Sequence, residues 1–349
     1  MIRPLSAILL LAALFSGATA SERQADDAPL TKDFEVRDNR AYLGGEPIKL
    51  WGLRCNNALM SPAVTERLIN NLDHMAMHGI NLISVSLQGT NGGFPDVDAG
   101  PNAYTSDGRL IPSHAKRLEW ILREADKRGM VVCVTLMMPR KDEVLKDEAA
   151  VRNGIEQTGR FLHERNLRNA FVNLYQEFNH GLRIDHDIFR EPNGPEKKAK
   201  LTQWFKSAAP NVEVGICPNH QTGSAVDYPG CDVLLFHEAM PVPTTGFAVN
   251  TETADRDATG NEGVFNAFHL ASMQKEWETY RDLPSAAMLF RSPYVESVRG
   301  VQGTGPNFEM GGGGTETDDR GIRPYYEWLR ENVGRWEYPR HVRTDQRQE

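Results

Sequence analysis

Leu118-Glu-Trp-Ile-Leu-Arg-Glu-Ala-Asp-Lys-Arg-Gly-Met-Val-Val-Cys-Val-Thr-Leu-Met-Met138 changes its hydrophobic period in mid-stretch. Leu118, Ile121, Leu122 and Ala125 recur at helical spacing, and Gly129 stands where a helix C-terminus favours a residue with positive φ. Val131–Met138 is then a nearly unbroken apolar run, the pattern of a parallel strand covered on both faces. The same unit occurs upstream. Val64–His78 carries Leu68, Ile69, Leu72, Met75 and Ala76, ends at Gly79 and leads into Asn81–Leu87. Working outward, eight strands are predicted: Ile48–Arg54, Asn81–Leu87, Val131–Met138, Ala170–Glu177, Val212–Cys217, Asp232–His237, Phe247–Glu252 and Ala286–Arg291. Further helices are predicted over His114–Arg128, Ala149–Arg168, Glu196–Ala208, Val264–Arg281 and Pro324–Asn332, with irregular connections after the fifth and sixth strands. This alternation predicts an α/β protein, a (β/α)8 TIM barrel. A doubly wound open sheet is the rival, but no G-x-G-x-x-G follows the first strand. Phe34–Pro47 reads as a β-hairpin turning near Asp38 and Asn39, placed to cap the bottom of the barrel.

The chain has 349 residues, 25% of them charged, and a formal charge of −8. That balance argues against a nucleic-acid partner, which normally meets a basic face. Arg3, the apolar run Leu5–Phe15 and the small residues ending Ala18-Thr19-Ala20 have the layout of a secretory signal peptide cleaved near Ala20. The expected organisation is a signal peptide over 1–20, a flexible leader over 21–33, the barrel over 34–338 and a polar tail over 339–349. The mature chain is expected to be exported, with no membrane span. Its four cysteines do not form a disulfide framework: Cys133 lies inside an apolar run, Cys55 and Cys217 end two others, and Cys231 begins a fourth.

In a barrel, chemistry belongs at the C-terminal ends of the strands. Those ends read Arg54, Gln88, Met138, Glu177, His237, Glu252 and Arg291, a concentration of charge that the strand bodies lack. Glu177 and Glu252, on strands four and seven, can both project into one mouth. Glycoside cleavage needs such a pair, one protonated to assist the leaving oxygen and one ionised to attack the anomeric carbon. A neighbouring negative charge is expected to raise the pKa of the acid. Glu238 competes as nucleophile, although strand alternation turns it away if Val233, Leu235 and His237 face inward. Glu262 is another carboxylate in range, placed to begin the seventh helix.

Over residues 34–335 the chain resembles the clan A retaining glycoside hydrolases, most closely the family-five, cellulase-like group in the broad sense. The resemblance rests on Phe34-Glu-Val through Gly45-Glu-Pro-Ile-Lys-Leu-Trp-Gly-Leu-Arg54, on Ala76-Met-His-Gly-Ile-Asn-Leu-Ile83, and on Leu118 through Val132. It implies that Glu177 is the acid/base and Glu252 the nucleophile, that Arg54 braces the nucleophile, and that Gln176 and His237 bind substrate. It departs in three places. Gln176 stands where the clan has Asn, His237-Glu238-Ala239 lacks the family Tyr, and Arg291-Ser292-Pro293 replaces a Trp platform.

Sugar recognition calls for aromatic faces, and Phe94, Tyr104, Phe178 and Tyr294 are placed to supply them. Trp204, Trp277 and Trp328 fall at helical spacing and read as packing. Long loops at Gly89–Pro112 and Ser292–Gly321, the second carrying Gly311–Gly314, would wall the cleft. No metal centre is expected. His180, Asp185, His186 and Asp187 share one loop and Asp96 and Asp98 another, but there is no H-x-H on strand one and no H-E-x-x-H on a helix. No cofactor is expected either. The activity expected is retaining hydrolysis of a poly- or oligosaccharide, and the alternative is a carbohydrate-binding barrel without catalysis.

Overall fold

The computed structural model describes residues 29–91, 100, 102–181, 183–220, 230–253, 267–292, 295–296 and 322–339. The signal peptide, Phe94, Asp96, Asp98, Glu262, Pro293, Tyr294, Gly311–Gly314 and residues 340–349 of the tail lie outside them.

The chain opens with a small antiparallel sheet. Strands β1 (Phe34–Arg37) and β2 (Arg40–Leu43) pair across a turn in which Asp38 and Asn39 have φ of 49° and 60°, the left-handed turn that matches strand twist. A third strand, β3 (Glu46–Ile48), extends the expected hairpin. Eight parallel strands follow: β4 (Gly52–Arg54), β5 (Leu82–Ser86), β6 (Val131–Met137), β7 (Ala170–Tyr175), β8 (Glu213–Gly215), β9 (Leu234–Phe236), β10 (Ala248–Thr253) and β11 (Ala286–Phe290). They run in the order β8-β7-β6-β5-β4-β11-β10-β9. The two end strands meet where Val214 O accepts from Asp232 N and Val233 N at 2.8 and 3.2 Å, so the sheet curls into a (β/α)8 TIM barrel.

Helices α1 (Pro62–Met77), α2 (Pro112–Lys127), α3 (Glu148–Glu164), α4 (Gly194–Ala208), α5 (Ala267–Asp282) and α6 (Arg323–Asn332) cover the outside. Ser61 and Asp147 cap α1 and α3 by accepting from Val64 N and Ala150 N. Gly79 and Gly129 take positive φ just past α1 and α2. After β9, the chain from His237 to Phe247 reaches β10 without a helix.

Two buried clusters result. One packs the strands against the helices and includes Trp204, Trp277 and Trp328. The other fills the barrel interior with Leu50, Leu82, Val131, Phe171, Val233, Leu235, Phe247 and Leu289, and the β1–β3 sheet plugs its lower end. Phe34 enters there, its ring 5.4 Å from Phe171 and 6.5 Å from Phe247. Ahead of β1, Thr31 is buried and Lys32 N donates to Asp126 at 2.8 Å. The four cysteines are free thiols. Among the described residues no helix is long and apolar enough to cross a membrane.

Candidate active site

The mouth is assembled at the C-terminal ends of β4, β7, β9, β10 and β11. Three backbone irregularities decide which side chains enter it. Glu177, just past β7, has φ of +56°, so Gln176 and Glu177 both turn inward although adjacent strand residues normally face opposite ways. Glu238, just past β9, has φ of +48°. That turn overrides the alternation which pointed it away, and its Oε1 lies 3.6 Å from His237 Nε2. In β10 the pairing with β11 slips between Asn250 and Thr253, a bulge that brings both Thr251 and Glu252 to the interior.

Glu252 is 6% exposed and ion-paired through both oxygens, Oε2 to Arg54 Nη1 and Oε1 to Arg291 Nη1. The two arginines are held from behind by Glu296, which is fully buried, accepts a hydrogen bond from Arg291 Nε at 3.1 Å and is ion-paired with Arg54 Nε at 3.1 Å. Two guanidiniums and two carboxylates therefore form a neutral box around the expected nucleophile. Burial pulls the pKa of Arg54 down, and the Glu296 charge opposes that shift.

His237 links the two expected catalytic groups. Its Nε2 is 3.2 Å from Glu177 Oε1 and its Nδ1 is 3.6 Å from Glu252 Oε2. One imidazole thus touches both carboxylates, whose nearest oxygens lie no more than roughly 9 Å apart, within the span over which carboxylate pairs act on glycosidic bonds. Burial pushes the Glu177 pKa up, but the adjacent His237, with His180 and Arg183 beyond it, outweighs burial and holds it down to about 2. The raised acid expected from the sequence is therefore not what this geometry gives. The reason is local: the arginine box neutralises Glu252, and His237, His180 and Arg183 all favour the charged form of Glu177.

Three of the five expected substrate contacts are buried and engaged with neighbouring side chains. Gln176 is 2% exposed, and its amide is spent on Asn173 at 2.8 Å, Thr251 at 3.1 Å and His237 Nδ1 at 3.2 Å. The amide ties Asn173 and Thr251 to His237. Tyr104 is buried, its hydroxyl 2.9 Å from Thr158 on α3, and it packs away from the mouth. Phe178 is 1% exposed and lies under Lys198 Nζ at 4.6 Å, so it too is core. Arg54 and His237 do sit in the mouth, as expected, but both are buried against carboxylates.

Sequence reasoning missed Glu296, the pairing of Arg291 with Glu252, and the contribution of Asn173, Thr251 and His220. Arg291 was visible as a charged strand end. Glu296 lies beyond β11 in a segment with no periodic pattern, so no signal marked it.

No protein-family model matches this chain, and no curated relative matches it. Among solved structures, the chain is similar to a glycoside hydrolase family 5 enzyme from Prevotella bryantii B14, with a TM-score of 0.54 at 12% identity over 81% of this chain and 95% of that one. It is similar to an endo-1,4-β-mannanase from Eisenia fetida, with a TM-score of 0.54 at 12% identity over 85% and 94%. A β-glucanase from Saccharophagus degradans in complex with cellotetraose matches with a TM-score of 0.53 at 10% identity over 87% and 94%. The chain shares the barrel fold of these glycoside hydrolases.

Proposed function

We propose that the chain is a retaining O-glycoside hydrolase of the family-five, clan A type, exported after signal cleavage near Ala20 and acting on a poly- or oligosaccharide. The observation that carries this reading is the convergence of Glu177 and Glu252 on the two nitrogens of one buried imidazole in the barrel mouth. The shared fold with a mannanase and with a glucanase that binds cellotetraose adds support.

In this mechanism an oxygen of Glu252 leaves its guanidinium and bonds to the anomeric carbon while the glycosidic C–O bond breaks. The departing oxygen takes a proton from Glu177. A water then gives its proton to Glu177 and attacks the same carbon, releasing the sugar and returning Glu252 to Arg54 and Arg291. The arginines keep Glu252 ionised between turnovers. Glu177 must be protonated when a cycle begins, against a resting geometry that holds it ionised.

One observation favours a second reading, a carbohydrate-binding barrel without catalysis: both oxygens of Glu252 are occupied by guanidiniums. A panel of polysaccharides and aryl glycosides, assayed with wild type, Glu177→Gln and Glu252→Gln, separates the two. Turnover by the wild type that both substitutions remove supports the hydrolase. Glycan binding with no turnover anywhere in the panel establishes the binding protein.

A further inference from the structure

Two buried amides behind the mouth fix the direction of the hydrogen bond at His237 Nδ1. The backbone N–H of Cys217 can only donate, and Asn173 Oδ1 accepts from it at 3.1 Å. Asn173 Nδ2 must therefore face Gln176, and it donates to Oε1 of that amide at 2.8 Å. Gln176 Nε2 is left as the donor on the far side, 3.1 Å from Thr251 Oγ1 and 3.2 Å from His237 Nδ1. Thr251 agrees with this orientation, because its own proton goes to Phe236 O at 3.1 Å and its oxygen is left to accept. Asn173, Gln176, Thr251 and His237 are all buried, so the chain runs where water has little access.

Facing a donor, His237 Nδ1 can only accept, and a neutral imidazole then carries its proton on Nε2. Three carboxylates surround the ring all the same. Glu177 Oε1 is 3.2 Å and Glu238 Oε1 3.6 Å from Nε2, and Glu252 Oε2 is 3.6 Å from Nδ1. Such a setting favours an imidazolium, but its Nδ1–H would be set against the amide N–H of Gln176. Neither contact of Nε2 is aligned as a hydrogen bond at rest. The tautomer thus decides what Glu177 meets when it moves onto that nitrogen. With the proton on Nε2, Glu177 meets a donor, and its acid form has nothing there to give a proton to. With the proton on Nδ1, Nε2 would present a lone pair that takes the Glu177 proton in place of the glycosidic oxygen.

We propose that Asn173 and Gln176 are positioning residues that hold His237 as the neutral Nε2–H tautomer, which reserves the proton of Glu177 for the leaving oxygen. The tautomer stands on the hydrogen-bond chain alone. Its consequence rests on the reading of Glu177 as acid/base.

The test reads the imidazole directly, by NMR correlation of ring protons with ring nitrogens in protein isotopically labelled at histidine, at neutral pH. The signals of His237 are those missing from His237→Asn. The wild type is expected to show a protonated Nε2 and a bare Nδ1. A bare Nε2, or protons on both nitrogens, overturns the proposal. Two isosteric substitutions should reverse the chain. Gln176→Glu sets an acceptor against Nδ1, and Asn173→Asp cannot donate to Gln176, whose amide then turns its oxygen to the ring. Each should move a proton onto Nδ1, and thermal unfolding verifies that the variant being read is folded. An unchanged tautomer in a folded variant overturns the amide chain as its cause. Glycoside turnover is read separately. Both variants should lower kcat/KM at least about tenfold for aryl glycosides with poor leaving groups, a part of the about 10²- to 10⁴-fold that a general acid supplies. They should change it little where the leaving group needs no proton. A moved proton with undiminished kcat/KM on both substrate types overturns the consequence. A wild type that shows the Nε2–H tautomer yet cleaves no glycoside removes the hydrolase reading and leaves the tautomer standing.

Discussion

Glu252 and Glu177 sit within reach of one histidine yet are held by different partners. Glu252 is neutralised by Arg54 and Arg291, and those two depend on Glu296 for their own charge balance. Replacing Glu296 by Gln leaves two guanidiniums facing one carboxylate in a buried box. Breaking a buried pair in this way should cost about 3–5 kcal/mol, measured by urea unfolding at neutral pH. A loss under about 1 kcal/mol would mean that the box contributes little to holding the arginines. Glu177 makes a prediction about acid. Its pKa falls from an ordinary 4.5 to about 2 on folding, so it adds stability that is fully present above pH 4.5 and disappears as pH drops toward 2. The melting temperature of the wild type should therefore exceed that of Glu177→Gln near pH 6, and the gap should close by pH 2. The same substitution should lower kcat/KM for glycosides with poor leaving groups by about 10²- to 10⁴-fold and change it little where the leaving group needs no proton, although kcat falls for both because the water step also uses Glu177. Equal loss of kcat/KM on both substrate types contradicts the acid role.

The elements around these residues explain what could be read in advance. The eight barrel strands and the six helices among the described residues announce themselves by period, because burial on both faces of a strand and one face of a helix is written into residue type. The inward positions of Leu235 in β9 and of Val233 just before it follow from alternation for the same reason. Alternation fails at the strand ends, where the site is built. The left-handed backbone at Glu177 and Glu238 and the bulge at Thr251 and Glu252 are tertiary outcomes with no glycine to advertise them. Glu238 was therefore expected to face outward, and it faces His237 instead. Tyr104 and Phe178 are buried for a related reason: their rings suit a sugar or a core, and only the path of the loops decides between them. The seam of the barrel gives a test at this scale. A Cβ on Gly215 in β8 would lie 2.5 Å from Val233 O and 2.8 Å from Leu235 Cγ. Gly215→Ala should thus pry β8 from β9 and destabilise the protein by about 1–3 kcal/mol in denaturant unfolding. An unchanged midpoint would show that the seam is slack.

At the scale of the molecule, the barrel separates stability from chemistry. The β1–β3 sheet and Phe34 close the lower end, and the charged side chains gather at the upper one. Phe34→Ala should lower stability by about 3–5 kcal/mol while leaving KM for any substrate unchanged at temperatures where the variant is folded. A shift in KM would show that the two ends communicate. The separation also accounts for why fold and site differ in legibility. Architecture follows from many weak, redundant apolar signals, whereas the mouth depends on single residues such as Glu296 and His220, drawn from segments without pattern. The central claim, that Glu252 attacks and Glu177 supplies the proton, is tested most directly by trapping the covalent intermediate. The protein is incubated with 2-deoxy-2-fluoroglycosyl fluorides of the gluco and manno series, and the labelled peptide is mapped by mass spectrometry. One glycosyl unit per chain on Glu252 is the predicted result. A label on Glu238 would assign the nucleophile to the wrong strand end, and turnover with no label on either carboxylate would contradict the retaining mechanism itself.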